Sequence, residues 1–160
     1  MQSYTKMLLG AAQKCIIALI LVKCIVAVDL QYSEIVTVTS ETRYVVQYPN
    51  AALTIFSKNH YVGGQYVFSS GKRISGDRLI LNFEDSTQFT KGEDVEALIR
   101  YPAKGTDSNI ITQVEIYAAV STEDADTFFV DGGINKSYCE ILIASNKTNY
   151  LEFEMFIYGY

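Results

Sequence analysis

Few side chains in this sequence are equipped for chemistry. His60 is the one histidine, and it lies between Asn59 and Tyr61 in no nucleophile motif. A serine or cysteine nucleophile ordinarily needs an adjacent general base, most often histidine. Cys139 is distant from His60 along the chain, so the two make no catalytic signature. One histidine and one cysteine also fall short of a zinc site unless several carboxylates join them. The carboxylates do cluster. Glu84-Asp85 and Glu93-Asp94 are adjacent pairs of the type that glycoside chemistry uses, but their spatial separation is not written in the sequence. Glu123, Asp124, Asp126 and Asp131 raise the question of calcium, yet no glycine bends the Glu-Asp-Ala-Asp run as a calcium loop requires. Gly71 and Gly76 are not followed by Gly-Lys-Ser/Thr and form no phosphate cradle. The sequence therefore predicts no catalytic residue, no cofactor and no metal site, with the acids in solvated turns.

The elements that would position these groups read as strands. Val95, Ala97, Ile99 and Tyr101 alternate with Glu96, Leu98 and Arg100. Ile110, Thr112, Val114 and Ile116 alternate with Ile111, Gln113, Glu115 and Tyr117, and Leu151, Phe153, Met155 and Ile157 with Glu152, Glu154, Phe156 and Tyr158. A period of two places one set on a core face and the other toward solvent or a second layer. Strands are expected near 35–40, 43–48, 52–57, 60–69, 78–83, 95–101, 110–118, 126–130, 138–145 and 150–158. Turn chemistry at Pro49-Asn50, Ser69-Ser70-Gly71, Ser75-Gly76-Asp77, Pro102 to Asn109, Gly132-Gly133 and Ser145 to Asn149 separates them. Gly63-Gly64 suggests a bulge, and Glu84 to Asp94 has room for one short helical turn. The fold class is all-β: an antiparallel β-sandwich or flattened barrel of about ten short strands. Phe156 and Tyr158 share an outward face with Glu152 and Glu154, as Tyr117 does with Gln113 and Glu115. On one exposed sheet face they would make an interaction patch; covered, they would be a second core layer.

The 160 residues are 49% hydrophobic with only two prolines, which excludes a disordered tail. The apolar excess is concentrated near the start. Lys6 and Lys14 precede the apolar run Cys15 to Val22, and Cys24-Ile25-Val26-Ala27 follows Lys23. This is the order of a secretory signal, predicting cleavage after Ala27 and a single β domain over 28–160. The competing membrane anchor needs about 20 mostly apolar residues, and lysines bracket this run at eight. Cleavage would remove three lysines and no acid, taking the formal net charge from −5 to −8. Such a chain is a poor partner for nucleic-acid phosphates, and without its leader it has no membrane segment. Cleavage would also leave Cys139 as the one cysteine, a buried small hydrophobe or the source of an intermolecular disulfide. Asn135-Lys136-Ser137 and Asn146-Lys147-Thr148 are glycosylation sequons in keeping with export.

Four strings carry a family resemblance. Gly71-Lys72-Arg73-Ile74-Ser75-Gly76-Asp77-Arg78-Leu79 resembles the opening motif of the multiprotein bridging factor 2 family of insects. Ile111-Thr112-Gln113-Val114, Gly132-Gly133-Ile134 and Phe156-Ile157-Tyr158-Gly159 are similar to its later strand, glycine turn and C-terminal strand, in that order. The resemblance covers Gly71 to Tyr160; the family commonly ends in a basic residue where this chain has Tyr160, and residues 28–70 add strands ahead of the motif. It implies a small β-protein, secreted in many relatives into salivary or body fluids, with a coactivator role behind the family name. Within the motif, Gly76-Asp77 reads as a turn former, and Lys72, Arg73 and Arg78 as turn residues or a small basic interaction patch. The expected function is a secreted, glycosylated, non-enzymatic protein that binds an unidentified protein or small ligand. The alternative is a transcriptional coactivator that bridges a DNA-binding factor and the general machinery.

Overall fold

The computed structural model describes residues 32–61 and 65–160, so the predicted leader 1–27 and the Gly63-Gly64 bulge lie outside the described residues. Among the described residues the structure is antiparallel β, with one helical turn. In order the elements are β1 (Tyr32–Thr37), α1 (Tyr44–Gln47), β2 (Thr54–Ile55), β3 (Ser57–His60), β4 (Gln65–Gly71), β5 (Arg78–Tyr101), β6 (Ile111–Val120), β7 (Ala125–Gly132) and β8 (Cys139–Gly159). The eight strands form one open sheet in the order β1-β5-β8-β6-β4-β3, with β7 also on β8 and β2 on β7.

This corrects the expectation of about ten short strands. The runs near 78–83 and 95–101 are one 24-residue strand, and those near 138–145 and 150–158 are one 21-residue strand. The polar stretches between them are not turns. Glu84 to Gln88 pair with Tyr150 to Glu154, and the ladder resumes beyond register shifts between Gln88 and Val95. In β8 the irregularity is Lys147, at φ 54. The region near 43–48 is likewise not a strand. Its α1 buries no residue, and its first N–H, that of Tyr44, donates to Glu96 Oε2 at 2.8 Å.

Strand β8 organises the sheet. β5 flanks it along one side; on the other, β7 takes its first half (139–145) and β6 its second (151–159). The long strands are bent. Ser33 on β1 sits opposite Ile99, yet its hydroxyl donates to Asp85, fourteen residues earlier on the same strand β5, at 2.8 Å. A straight strand would put those positions about 45 Å apart. The other end closes similarly: Asn135 N–H donates to the Ile111 carbonyl and Ile111 N–H to that of Lys136, both at 2.8 Å. At the bend, Arg43 reaches Asp94 and Asn146, each at 2.6 Å, and ties β5 to β8.

Bending lets both halves of the sheet bury one core. Val95, Ala97, Ile99, Cys139, Ile141 and Ile143 belong to the same cluster as Val114, Ile116, Leu151, Phe153, Met155 and Ile157. The predicted alternation on Leu151 to Ile157 and on Val95 to Tyr101 is the buried set. In β6 both Ile111 and Thr112 are buried, because the register with β8 shifts between Ile111 and Gln113. Each large aliphatic side chain so buried stabilises the fold by about 1.5–3 kcal/mol.

Candidate functional site

Two surfaces of the second half of the sheet concentrate polar and aromatic groups. The first is the end where β4 turns into β5. Gly71 and Gly76 take φ of +78° and +90°, conformations that disfavour an L side chain. A Cβ on Gly71 would sit 2.2 Å from the Thr112 carbonyl oxygen and 2.7 Å from Ile134 Cδ1. Asp77 is the hub of the turn. Its carboxylate accepts from Arg73 Nε at 2.8 Å, from Ile74 N–H at 3.1 Å and from the Thr112 hydroxyl at 2.7 Å. Arg73 and these hydrogen bonds hold it well below the usual carboxylate range. The Arg73 guanidinium lies 3.9 Å from the centre of the Tyr158 ring. Gly159, next in β8, pairs with Arg78 and Ile111. All four strings singled out in the sequence therefore meet here.

The second surface is a groove of about 750 Å3 on the solvent-facing side of β5, β8 and β6. Alternation places Glu152, Glu154, Phe156 and Tyr158 along one face of β8, and Glu115 and Tyr117 beside them on β6. The register sets Tyr117 opposite Glu154 and Glu115 opposite Phe156; on the far side Glu84 faces Glu154 and Ser86 faces Glu152. Tyr117 packs edge-on against Phe156 at 5.8 Å and against Tyr61 at 5.5 Å. Partial burial, then Glu115, raise the Tyr117 phenol above its ordinary pKa. Four glutamates, Glu84, Glu115, Glu152 and Glu154, and no basic side chain face the groove, while Asp85 beside them turns its carboxylate to Ser33 on β1. The outward aromatics foreseen from the alternation are thus on one accessible face, and neither fully covered nor isolated.

The other predicted residues are scattered. Lys72, Arg73 and Arg78 share the turn but have different partners: Lys72 N–H bonds the Thr112 carbonyl, Arg73 is held by Asp77, and Arg78 reaches Asn109 Oδ1 at 3.1 Å. Asn135 is exposed at φ 64. The Asn146 side-chain nitrogen, where a glycan would attach, donates to Asp124 at 2.7 Å. His60 is exposed and faces the Tyr66 ring at 5.0 Å. Asp124 binds Asn146, Asp131 receives Gly132 N–H and the Tyr138 hydroxyl, and Asp94 binds Arg43. Among the described residues no three of His, Cys, Asp or Glu are grouped to hold a metal ion. The intermolecular disulfide through Cys139 is corrected: the residue is fully buried, and burial pushes its thiol up to about 12. Sequence reasoning did not bring Glu84 or Tyr61 to the groove. Their convergence depends on register across strands far apart in the chain.

A family model described as transcription activator MBF2 matches residues 70–159. The chain belongs to the MBF2 family. No curated protein and no solved structure matches it. The MBF2 match spans every string of the resemblance and begins where β4 ends. It also overturns the expectation of a secreted protein of an extracellular fluid. The family is described by transcription activation, which points to the nucleus. The two sequons lose the role that export gave them.

Proposed function

We propose that this MBF2-family protein is a non-enzymatic transcription coactivator that acts through protein contacts, joining a DNA-binding factor to the transcription machinery. The observation that carries the reading is the family match over residues 70–159. Charge favours protein over nucleic acid as the direct partner. The chain has a formal net charge of −5, and the three basic residues of the turn include one neutralised by Asp77. Like charge repels a phosphate backbone, so the protein reaches a promoter through a DNA-bound partner. The groove is large enough for a small molecule, but it is open and lined with carboxylates. Small-molecule sites are mostly enclosed and apolar, so the face suits a polypeptide better. In this reading the bent sheet is a two-layered sandwich, its interior a core and its outer face the working surface.

The test is recruitment. The full chain is fused to a heterologous DNA-binding domain and a reporter bearing that domain's sites is measured. Transcription above that given by the DNA-binding domain alone is the expected result. An unchanged reporter at equal nuclear abundance would overturn the proposal.

A further inference from the structure

We infer that the groove on β5, β8 and β6 is the docking site for an extended, arginine-bearing segment of a protein partner. Only the partner's place in transcription rests on the coactivator reading; the chemistry of the occupant rests on the groove. Among the described residues none of the four glutamates there forms a salt bridge, and Arg73, which lies over Tyr158 at the groove's end, is bridged to Asp77. Glu84 stands directly opposite Glu154 across the β5–β8 ladder; of the described side chains, neutral amides alone donate to these groups, Asn82 Nδ2 to Glu154 Oε1 at 3.1 Å and Gln113 Nε2 to Glu115 Oε1 at 2.9 Å. Like charges opposite one another in a sheet are unfavourable until a cation lies between them.

The remaining wall is aromatic, and it selects arginine over lysine. A guanidinium stacks flat on a ring and also binds a carboxylate with two parallel N–H donors, whereas an ammonium does neither as well. The chain itself contains an example. Arg73 lies over one groove ring, Tyr158, at 3.9 Å while Asp77 binds its charge. Spacing favours an extended occupant. Along β8 the side chains Glu152, Glu154, Phe156 and Tyr158 recur at every second residue, about 7 Å apart. An extended peptide repeats at the same interval, so its alternate side chains meet carboxylates at one end of the groove and rings at the other.

The experiment uses the full chain and a fluorescein-labelled peptide of alternating arginine and serine, read by fluorescence anisotropy. A glutamate–serine peptide and a short DNA duplex serve as competing probes. The wild-type chain is expected to bind the arginine peptide, with affinity falling about tenfold between about 50 and about 300 mM salt because the groove charges are accessible. Combined Glu115→Gln, Glu152→Gln and Glu154→Gln keep the shapes and remove the charges; affinity is expected to fall at least about tenfold with an unchanged melting profile. Tyr117→Leu should weaken binding about threefold to tenfold through the lost ring contact. Equal affinity of the triple variant, equal binding of the glutamate peptide or preference for the duplex would each overturn the inference. In the promoter-recruitment assay, a triple variant that loses the peptide but still activates fully overturns the groove as partner site and leaves the coactivator reading standing. A wild-type chain that binds the peptide but leaves the reporter silent overturns the coactivator reading and supports the groove.

Discussion

Strands β6 and β8 run through both the motif turn and the groove, yet carboxylates behave differently in the two places. At the turn, Asp77 is enclosed by Arg73, Ile74 and Thr112, and those contacts tie the turn to itself and to β6. In the groove, Glu84, Glu152 and Glu154 stand on the solvent face with no cation of the chain among the lining residues. The first arrangement consumes its charge in holding the fold. The second leaves charge available to a partner. The short strings that mark the family lie at the turn, where geometry dictates residue type, and only Phe156 and Tyr158 extend from them into the groove.

The largest expected effect comes from the turn. Gly71→Ala and Gly76→Ala both place a side chain at positive φ, but only at Gly71 would the new Cβ meet backbone, at 2.2 Å from the Thr112 carbonyl oxygen. Chemical denaturation should show a loss of about 3 kcal/mol or more for Gly71→Ala and about 1 kcal/mol for Gly76→Ala. Equal losses would mean that the turn is held by its φ angles alone and not by packing on β6.

Acid comes next. Asp107 is pushed down to about 2 by the Tyr101 hydroxyl first and then by Asn109, and Asp77 is held low by Arg73. A carboxylate whose pKa is lower folded than unfolded stabilises the fold above its unfolded value near ~4 and loses that contribution as pH falls through the folded value. Stability should therefore decline below pH ~4. Tyr101→Phe, which removes the buried donor to Asp107, should cost about 1–2 kcal/mol at neutral pH and flatten the acid limb. The groove variant Glu115→Gln, Glu152→Gln, Glu154→Gln should leave that limb in place. A groove variant that abolished it would erase the distinction between engaged and available carboxylates.

The smallest effect is on the stability of the groove variant itself. Replacing accessible carboxylates by amides of the same shape should change the unfolding free energy by no more than about 0.5 kcal/mol, with any change toward greater stability as Glu84 and Glu154 cease to repel. A loss of several kcal/mol would place these side chains in the framework instead.

Parts of this arrangement were written in the alternation. Leu151, Phe153, Met155 and Ile157 are a core face because period two demands it, and Phe156 and Tyr158 share the outward face with Glu152 and Glu154 for the same reason. Strand continuity was hidden. Asn146, Lys147 and Thr148 have turn composition, but Thr148 is buried and takes Ser121 N–H, so the polar residues serve a bend inside β8 and not its end. Glu84 to Asp94 reads as a polar stretch with room for a helical turn because its partners lie 55 to 70 residues away on β8, and nothing local announces them. Tyr44 to Gln47 carry β-forming side chains, yet they make a helical turn whose Tyr44 N–H is taken by Glu96 on β5. The groove was half legible: each strand displays its own row, but the meeting of Glu84, Glu154 and Tyr117 is a matter of register. The opening segment has the local composition of an export signal, whereas the family match over residues 70–159 points to the nucleus, and local composition alone does not decide between them.

The distinction between framework and working face is tested most directly by backbone amide NMR of the full chain titrated with the arginine–serine peptide. Shifts are expected to concentrate at Glu84, Glu115, Tyr117 and Glu152 to Tyr158, leaving Cys139 to Ile143 and β7 unmoved. Perturbations centred on β7 and β1, or none at all at saturating peptide, would contradict it.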